Sequence, residues 1–157
     1  MKIKLLAIGK TDDKNLMSLI QTYEQRLKHY LKFELYIIPD IRNSKNLSRH
    51  QQKEREGEMI LKEIKTIDQL ILLDEKGKEF RSIEFSKFLQ KKMNSGIKEL
   101  VFVIGGPYGF SDKVYQRANG KVSFSKMTFS HQMIRLFVAE QIYRAFTILK
   151  NEPYHHE

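Results

Sequence analysis

Apolar positions along the chain switch between a spacing near two residues and one near 3.6, and the switches mark out alternating strands and helices. Residues 2–8 (KIKLLAI) interleave lysine with apolar side chains and predict a strand, closed by a turn or helix cap at Gly9-Lys10-Thr11-Asp12. Residues 15–30 carry Leu16, Leu19, Ile20, Tyr23 and Leu27 at helical spacing. A second strand follows at 33–38 (FELYII) and stops at Pro39, which has no N–H to donate to a ladder. Residues 41–55 are polar and basic, with Arg42, Lys45, Arg49, His50, Lys53 and Arg55, and read as a mobile or solvent-facing segment. From Glu54 onward Met59, Ile60, Ile64 and Ile67 mark a helix, before the apolar strand 69–73 (QLILL) and a turn at 74–77 (DEKG).

The helical spacing returns at 83–93 through Phe85, Phe88 and Leu89 and ends near Asn94-Ser95-Gly96. Residues 100–104 (LVFVI) form a continuous apolar strand that runs straight into GGPYG at 105–109. Residues 114–118 are helical in tendency, 121–124 a short strand, 125–131 a polar loop, and 132–150 a long helix. Strands that read as apolar runs and alternate with helices predict an α/β domain, a mostly parallel sheet covered by helices on both faces. Ligands in such sheets sit at the carboxyl ends of the strands. The long helix is apolar around most of its circumference (Met133, Ile134, Leu136, Phe137, Val138, Ile142, Tyr143, Phe146, Ile148, Leu149), so it needs burial on more than one side. A subunit interface is the expected second surface.

Composition narrows the class. A length of 157 residues fits one domain, residues 1–157. The chain has no cysteine, which removes disulfides, thiolate metal sites and a cysteine nucleophile, and points to a reducing, cytoplasmic setting. The first residues are too short and too interrupted by lysine for a signal peptide, and no apolar stretch reaches the roughly 18 residues of a membrane span. With 28 Lys and Arg against 19 Asp and Glu, the net charge of +9 favours a polyanionic partner.

Three stretches carry candidate chemistry. GGPYG lets backbone N–H groups approach a ligand, although an ordinary strand-ending turn has the same composition. It is neither GxGxxG nor a P-loop, which counts against nicotinamide and ATP chemistry. The hydroxyl-rich segment 123–131 (SFSKMTFSH) is either a ligand loop or a helix cap made by Thr128 or Ser130. The tail 151–157 (NEPYHHE) holds a stiff Pro153-Tyr154 element, although chain ends usually fray.

Taken in order, IGGPYGF (104–110), SFSKMTFSHQMIR (123–135), AEQIYRAFTI (139–148) and NEPYH (151–155) resemble the SPOUT-class methyltransferases that methylate N3 of a pseudouridine in 23S rRNA of the large ribosomal subunit. The resemblance spans the chain, begins with MKIKLLAIGK, and draws its specificity from the last third. It implies a deep trefoil knot in the C-terminal half, a homodimer with sites near its interface, S-adenosylmethionine as cofactor, and no metal. It places cofactor binding on Leu73, Gly105, Phe124, Ser125, Lys126, Met127, Thr128 and Phe129, with Ile104 as a further apolar wall.

An imide N3 is a poor nucleophile until its proton leaves, so the reaction needs a base, or a cationic donor that stabilises the negative charge developing on the ring. By the same resemblance Tyr154 and His155 position the base and remove the proton, and Arg144 holds a phosphate or a base oxygen. Arg144 and Arg135 have a structural alternative, pairing with Glu140 or its copy in a partner. The chain departs from the family at His156, where an Arg or Lys is usual, with Glu157 after it. The competing readings are a SPOUT enzyme acting on tRNA and a non-catalytic RNA- or ribosome-binding protein that uses residues 42–55. So small a protomer offers little RNA-binding area, so the RNA is expected to be read by shape and by both subunits.

Overall fold

Five strands, β1 (Lys2–Ile8), β2 (Lys32–Ile38), β3 (Gln69–Glu79), β4 (Glu99–Ile104) and β5 (Gly120–Ser123), form one sheet in a computed structural model that describes residues 1–156. Their order is β2-β1-β4-β3-β5 and every neighbouring pair is parallel. The helices are α1 (Lys14–Leu27), α2 (Arg49–Lys62), α3 (Ser82–Asn94), α4 (Asp112–Arg117) and α5 (Met133–Leu149).

Side chains alternate across each strand, so a strand sandwiched between helices must be apolar on both faces. In β4, Leu100, Phe102 and Ile104 pack with α1, α3 and α5, whereas Val101 and Val103 pack toward Ile60 of α2 and Val114 of α4. Phe102, fully buried at the centre, pairs with Leu5 of β1 and Ile71 of β3. Burying a ring of that size contributes about 2–3 kcal/mol. The helices thus cover both faces, as the apolar runs require.

Several boundaries differ from the sequence pattern, each for a local reason. Residues 49–55 are the first half of α2, with Arg49, His50, Gln51 and Arg55 facing solvent. Ser48 and Gln51 form a capping box, with Ser48 Oγ accepting from the Gln51 N–H at 3.1 Å and Gln51 Oε1 accepting from the Ser48 N–H at 2.9 Å. α2 then ends at Lys62, so Ile64 and Ile67 lie beyond it, and Ile67 is exposed. The turn expected at 74–77 lies inside β3. Leu73 and Lys78 both oppose Val122, so the residues between them bulge out and pairing with β5 resumes. Asp74 Oδ1 holds the bulge by accepting from the Lys76 N–H at 2.8 Å, and Gly77 passes so near β5 that a Cβ there would lie 2.6 Å from the Val122 carbonyl carbon.

α5 begins beside the end of β1. Arg135 is fully buried and donates from Nε to the His131 carbonyl (3.0 Å), from Nη1 to Thr11 Oγ1 (2.9 Å) and from Nη2 to the Ile8 carbonyl (2.8 Å). The pairing of Arg135 with Glu140 left open above is therefore not made in the chain. Helical side chains lean toward the N-terminus, which carries this one back to the β1–α1 junction. Burial pulls its pKa down from the ordinary guanidinium value, against the opposing pull of Asp40 and Asp12.

Replacing Arg135 by Met keeps the volume roughly but leaves Thr11 and the Ile8 carbonyl buried without their donor. R135M should lower the unfolding free energy by about 2–4 kcal/mol, read as a lower urea midpoint at unchanged m-value. An unmoved midpoint would mean that the guanidinium is not buried in solution.

Candidate active site

The carboxyl ends of β3, β4 and β5 open into a cleft of about 610 Å³, within the range of small-molecule sites. Four chain segments line it: residues 73–76 at the β3 bulge, the glycine loop after β4, Tyr115 of α4, and the polar loop from Val122 to His131 with Ile134. Seven of the eight cofactor-binding residues expected from the family resemblance line this cleft: Leu73, Gly105, Phe124, Ser125, Met127, Thr128 and Phe129. Lys126 does not line it and is exposed. A second, smaller cavity of about 230 Å³ shares Phe124 and Phe129 and continues between Phe80, Phe85, Phe137 and Gln141.

Gly105 packs closely, since a Cβ there would come within 3.2 Å of the Phe110 ring and the ring would have to shift. The next residue is tighter: a Cβ on Gly106 would lie 2.1 Å from Oε2 of Glu56, a carboxylate that is only 3% exposed. Burial pushes the Glu56 carboxyl above its ordinary value, against the hydrogen bond from Gln52 Nε2 (2.8 Å). Gly109 turns the loop at φ +77°. The polar loop holds itself by its hydroxyls, Ser123 Oγ donating to the Ser125 carbonyl (2.9 Å) and Ser125 Oγ accepting from the Met127 N–H (2.9 Å). Ser130 Oγ accepts from the N–H groups of Gln132 (3.2 Å) and Met133 (3.4 Å), so this loop also caps α5. A cleft of this size, with apolar walls at Leu73, Ile104 and Phe129 and close backbone approach at Gly105, fits a nucleoside carrying an amino-acid tail.

The tail is anchored. Tyr154 donates to Glu140 Oε1 at 3.1 Å, stands 3.2 Å from the Tyr23 hydroxyl, and packs edge-on against Tyr143. Burial, the Tyr23 hydroxyl and the Glu140 charge together raise the Tyr154 phenol well above its ordinary value, so it stays neutral and acts as a donor. Arg144 pairs with Glu140 at 2.6 Å, stacks over the Tyr154 ring and lies 3.4 Å from His155 Nδ1. The Glu140 pairing left open for Arg144 is thus present, and it raises the Arg144 pKa further. Tyr30 donates to Glu152 and fixes the chain just before Tyr154. His156 is exposed, and Glu157 lies outside the described residues.

The structure brings Arg144, Tyr154 and His155 together, and separately gathers the cleft residues, but it does not join the two groups. Ile134 lines the cleft, and Arg144 is ten residues further along α5, roughly 15 Å at the helical rise. Tyr23 and Tyr30 place the tail near the start of β2, at the opposite edge of the sheet from the cleft. The pattern of the sequence did not single out Tyr23, Glu56, Tyr108 or Tyr115. Tyr23 reads as an ordinary helix position and Glu56 as one charge among many, whereas Tyr108 sits within the quoted glycine motif. Among the described residues no group of three or more His, Asp or Glu could hold a metal ion, and no helix is long and apolar enough to cross a membrane.

A parallel α/β sheet with a ligand-sized cleft at its carboxyl edge defines a class of small-molecule-binding enzyme fold. A solved structure of this fold, a probable methylase family protein from Haemophilus influenzae, matches with a TM-score of 0.50 at 12% identity, covering 99% of this chain and 70% of that one. The family described as Predicted SPOUT methyltransferase matches residues 1–155, and the chain belongs to it. Curated relatives named "Ribosomal RNA large subunit methyltransferase H" are 68% identical in Flavobacterium johnsoniae, 69% in Flavobacterium psychrophilum and 63% in Parabacteroides distasonis, each over all of both chains.

One wall of the cleft is pinned by Tyr115 of α4, which donates to Asp74 Oδ2 at 2.6 Å. Burial first, and then this bond and the Asp74 charge, push its phenol from 10.0 up to about 12. A group whose pKa is raised by folding stabilises fully below its unfolded value and loses that contribution as pH climbs through the folded one. Stability should therefore fall from about pH 10 upward, and Y115F should flatten that fall. Urea unfolding of both proteins at pH 9, 10 and 11 checks this, and parallel curves would show that the bond is absent in solution.

Proposed function

We propose that the chain transfers a methyl group from S-adenosylmethionine to N3 of a pseudouridine in 23S rRNA, acting in the cytoplasm on the large subunit or the assembled ribosome. It does so as a homodimer in which the cleft of one subunit meets the tail of the other. The observation that carries this reading is the separation just described: within one protomer the cleft and the Arg144–Tyr154–His155 group stand at opposite edges of the sheet. The exposed apolar side chains Met127, Phe129, Met133 and Phe137, at the polar loop and the start of α5, supply a surface for the second subunit. The names of the relatives favour ribosomal over transfer RNA.

The cofactor supplies a methyl group on a sulfonium centre. Everything else is asked of the chain's own residues. The cleft positions and excludes water, since an in-line displacement gains most from orientation. His155 takes the N3 proton of the base. Tyr154, anchored on Glu140 and Tyr23, positions the base, and Arg144, oriented by Glu140, stabilises the negative charge that develops on the ring. The knot belongs to the same reading. Its support is that the chain, after building the edge strand β5, returns across the sheet to tie α5 to the end of β1.

Calorimetric titration with S-adenosylmethionine should show saturable micromolar binding that G105W abolishes, and no binding at millimolar cofactor would overturn the enzyme reading. G105W and H155A should each be inactive on ribosomes as pure proteins. Refolded together, they form dimers with one intact site, and activity should return to about a quarter of wild type for a two-fold symmetric pair. A mixture as inactive as its components would place cleft and tail in the same subunit.

A further inference from the structure

The proposed reaction leaves the cationic stretch 42–55 without a task. It holds Arg42, Lys45, Arg49, Lys53 and Arg55 against the one carboxylate Glu54, and the carboxylate that follows it, Glu56, is buried. Among the described residues, none of these five cations pairs with a carboxylate, although ion pairs form elsewhere, as between Lys113 and Glu58. Five cations against one carboxylate in so short a run leave a strong positive field at one place on the surface.

The location of that field is set by α2. Arg49, Lys53, Glu56 and Ile60 follow one another at spacings of four, three and four residues and so share one stripe of the helix. The C-terminal half of the stripe is buried, with Ile60 in the core and Glu56 against Gly106. Gly57 meets the far end of the same loop, where a Cβ would lie 2.2 Å from Ser111 Oγ. α2 is thereby fixed to both ends of the glycine loop, and the N-terminal half of its stripe runs past the mouth of the cleft. There the Arg49 guanidinium lies over the Tyr108 ring, 5.7 Å from its centroid. Tyr108 lines the cleft and is still 42% exposed with the arginine over its ring, so much of the residue remains open to solvent.

We propose that Tyr108, propped by Arg49, is a stacking platform for an unpaired RNA base next to the target nucleotide, with Lys45 and Lys53 following the adjoining phosphates. This deepens the methyltransferase reading above and rests on it. Proteins that bind single-stranded RNA combine an aromatic face, on which a base stacks, with cations that track the backbone. Tyr108 and the 42–55 stretch bring both to the rim of the cleft. Arg49 serves twice, holding the ring by a cation–π contact and adding charge beside the phosphates. The platform also provides what a small protomer lacks, a grip on the nucleotides flanking the one that enters the cleft.

The chain contains no tryptophan, so Y108W places a single fluorescent reporter at the platform. The probe is a twelve-nucleotide uridine RNA at low salt. Saturable quenching of the Y108W emission is expected, with no quenching by heparin, which carries charge but no bases. Y108A should weaken binding of the oligonucleotide by roughly 5- to 150-fold, while Y108F keeps it within about twofold. The K45A/K53A double variant should lower the slope of log affinity against log salt by about 1.4, from two lost phosphate contacts. On ribosomes, Y108A should raise KM more than it lowers kcat.

Oligonucleotide binding that leaves the Y108W emission unchanged would overturn the proposal, as would wild type failing to bind the oligonucleotide. If Y108A instead loses cofactor affinity in the calorimeter and keeps its RNA affinity, Tyr108 is part of the cofactor wall and the platform does not exist. The quenching needs no methyl transfer, so a failure of the methyltransferase reading, seen as wild type that binds no cofactor, is distinguishable from a failure of the platform.

Discussion

A buried guanidinium is tolerable only when its donors are satisfied, and the oxygens that satisfy Arg135 belong to the segments meeting at the carboxyl edge of the sheet. Two of them, on Ile8 and Thr11, lie at the β1–α1 junction, so α5 can begin nowhere else without stranding a charge. From that start the helix runs back along the sheet for 17 residues, roughly 25 Å. It therefore delivers the tail to the amino edge, where Tyr23 and Tyr30 of the α1 region receive it. The His131 carbonyl is the third acceptor, so the same side chain also sets where the polar loop ends and how it borders the cleft.

The parts of the fold that local pattern could reveal are the ones whose reason is local. Continuous apolar runs such as LVFVI and QLILL are what a parallel strand covered on both faces must look like, and their alternation with helical spacing gives the layer architecture. Strand order is different, because it depends on which runs meet in space and leaves no trace in any one of them. The extension of β3 past its bulge depends likewise on Val122, far along the chain. The start of α2 was legible in principle, since Ser48 and Gln51 are a capping box, but the surrounding basic residues mask it. Arg135 escaped because two of its three partners, Thr11 and the Ile8 carbonyl, lie more than a hundred residues away, while Glu140 lies nearby on the same helix.

The candidate site was legible to a different degree. Glycines after an apolar strand and a hydroxyl-rich loop before a helix suggest a ligand site, yet the bland readings of both fit equally well. The family resemblance is what named the residues, and the fold then placed seven of the eight cofactor positions around one cleft. Lys126 falls outside because successive side chains in an irregular loop point in different directions, and a contiguous motif does not imply a contiguous wall. The tail could be recognised as unusual from Pro153-Tyr154, but its anchor on Glu140 and Tyr23 is tertiary.

Separation of cleft and tail has an energetic consequence for how the two could work together. Within the protomer, Glu140 holds Arg144 and accepts from Tyr154, so these two side chains are already oriented in the single chain. A preformed cluster loses little side-chain freedom on meeting a second subunit, whereas flexible arginine and tyrosine side chains would each have to be ordered at the moment of assembly. The cleft is prepared in the same sense, its glycine loop resting on Glu56 and Gly57 of α2 and its bulge tied by Tyr115 to Asp74. The cleft holds the pocket, and the tail holds the Arg144–Tyr154–His155 group apart from it. For the proposed dimer the association of two chains would bring pocket and tail together, and the exposed apolar start of α5 beside the cleft offers surface whose burial favours such a contact.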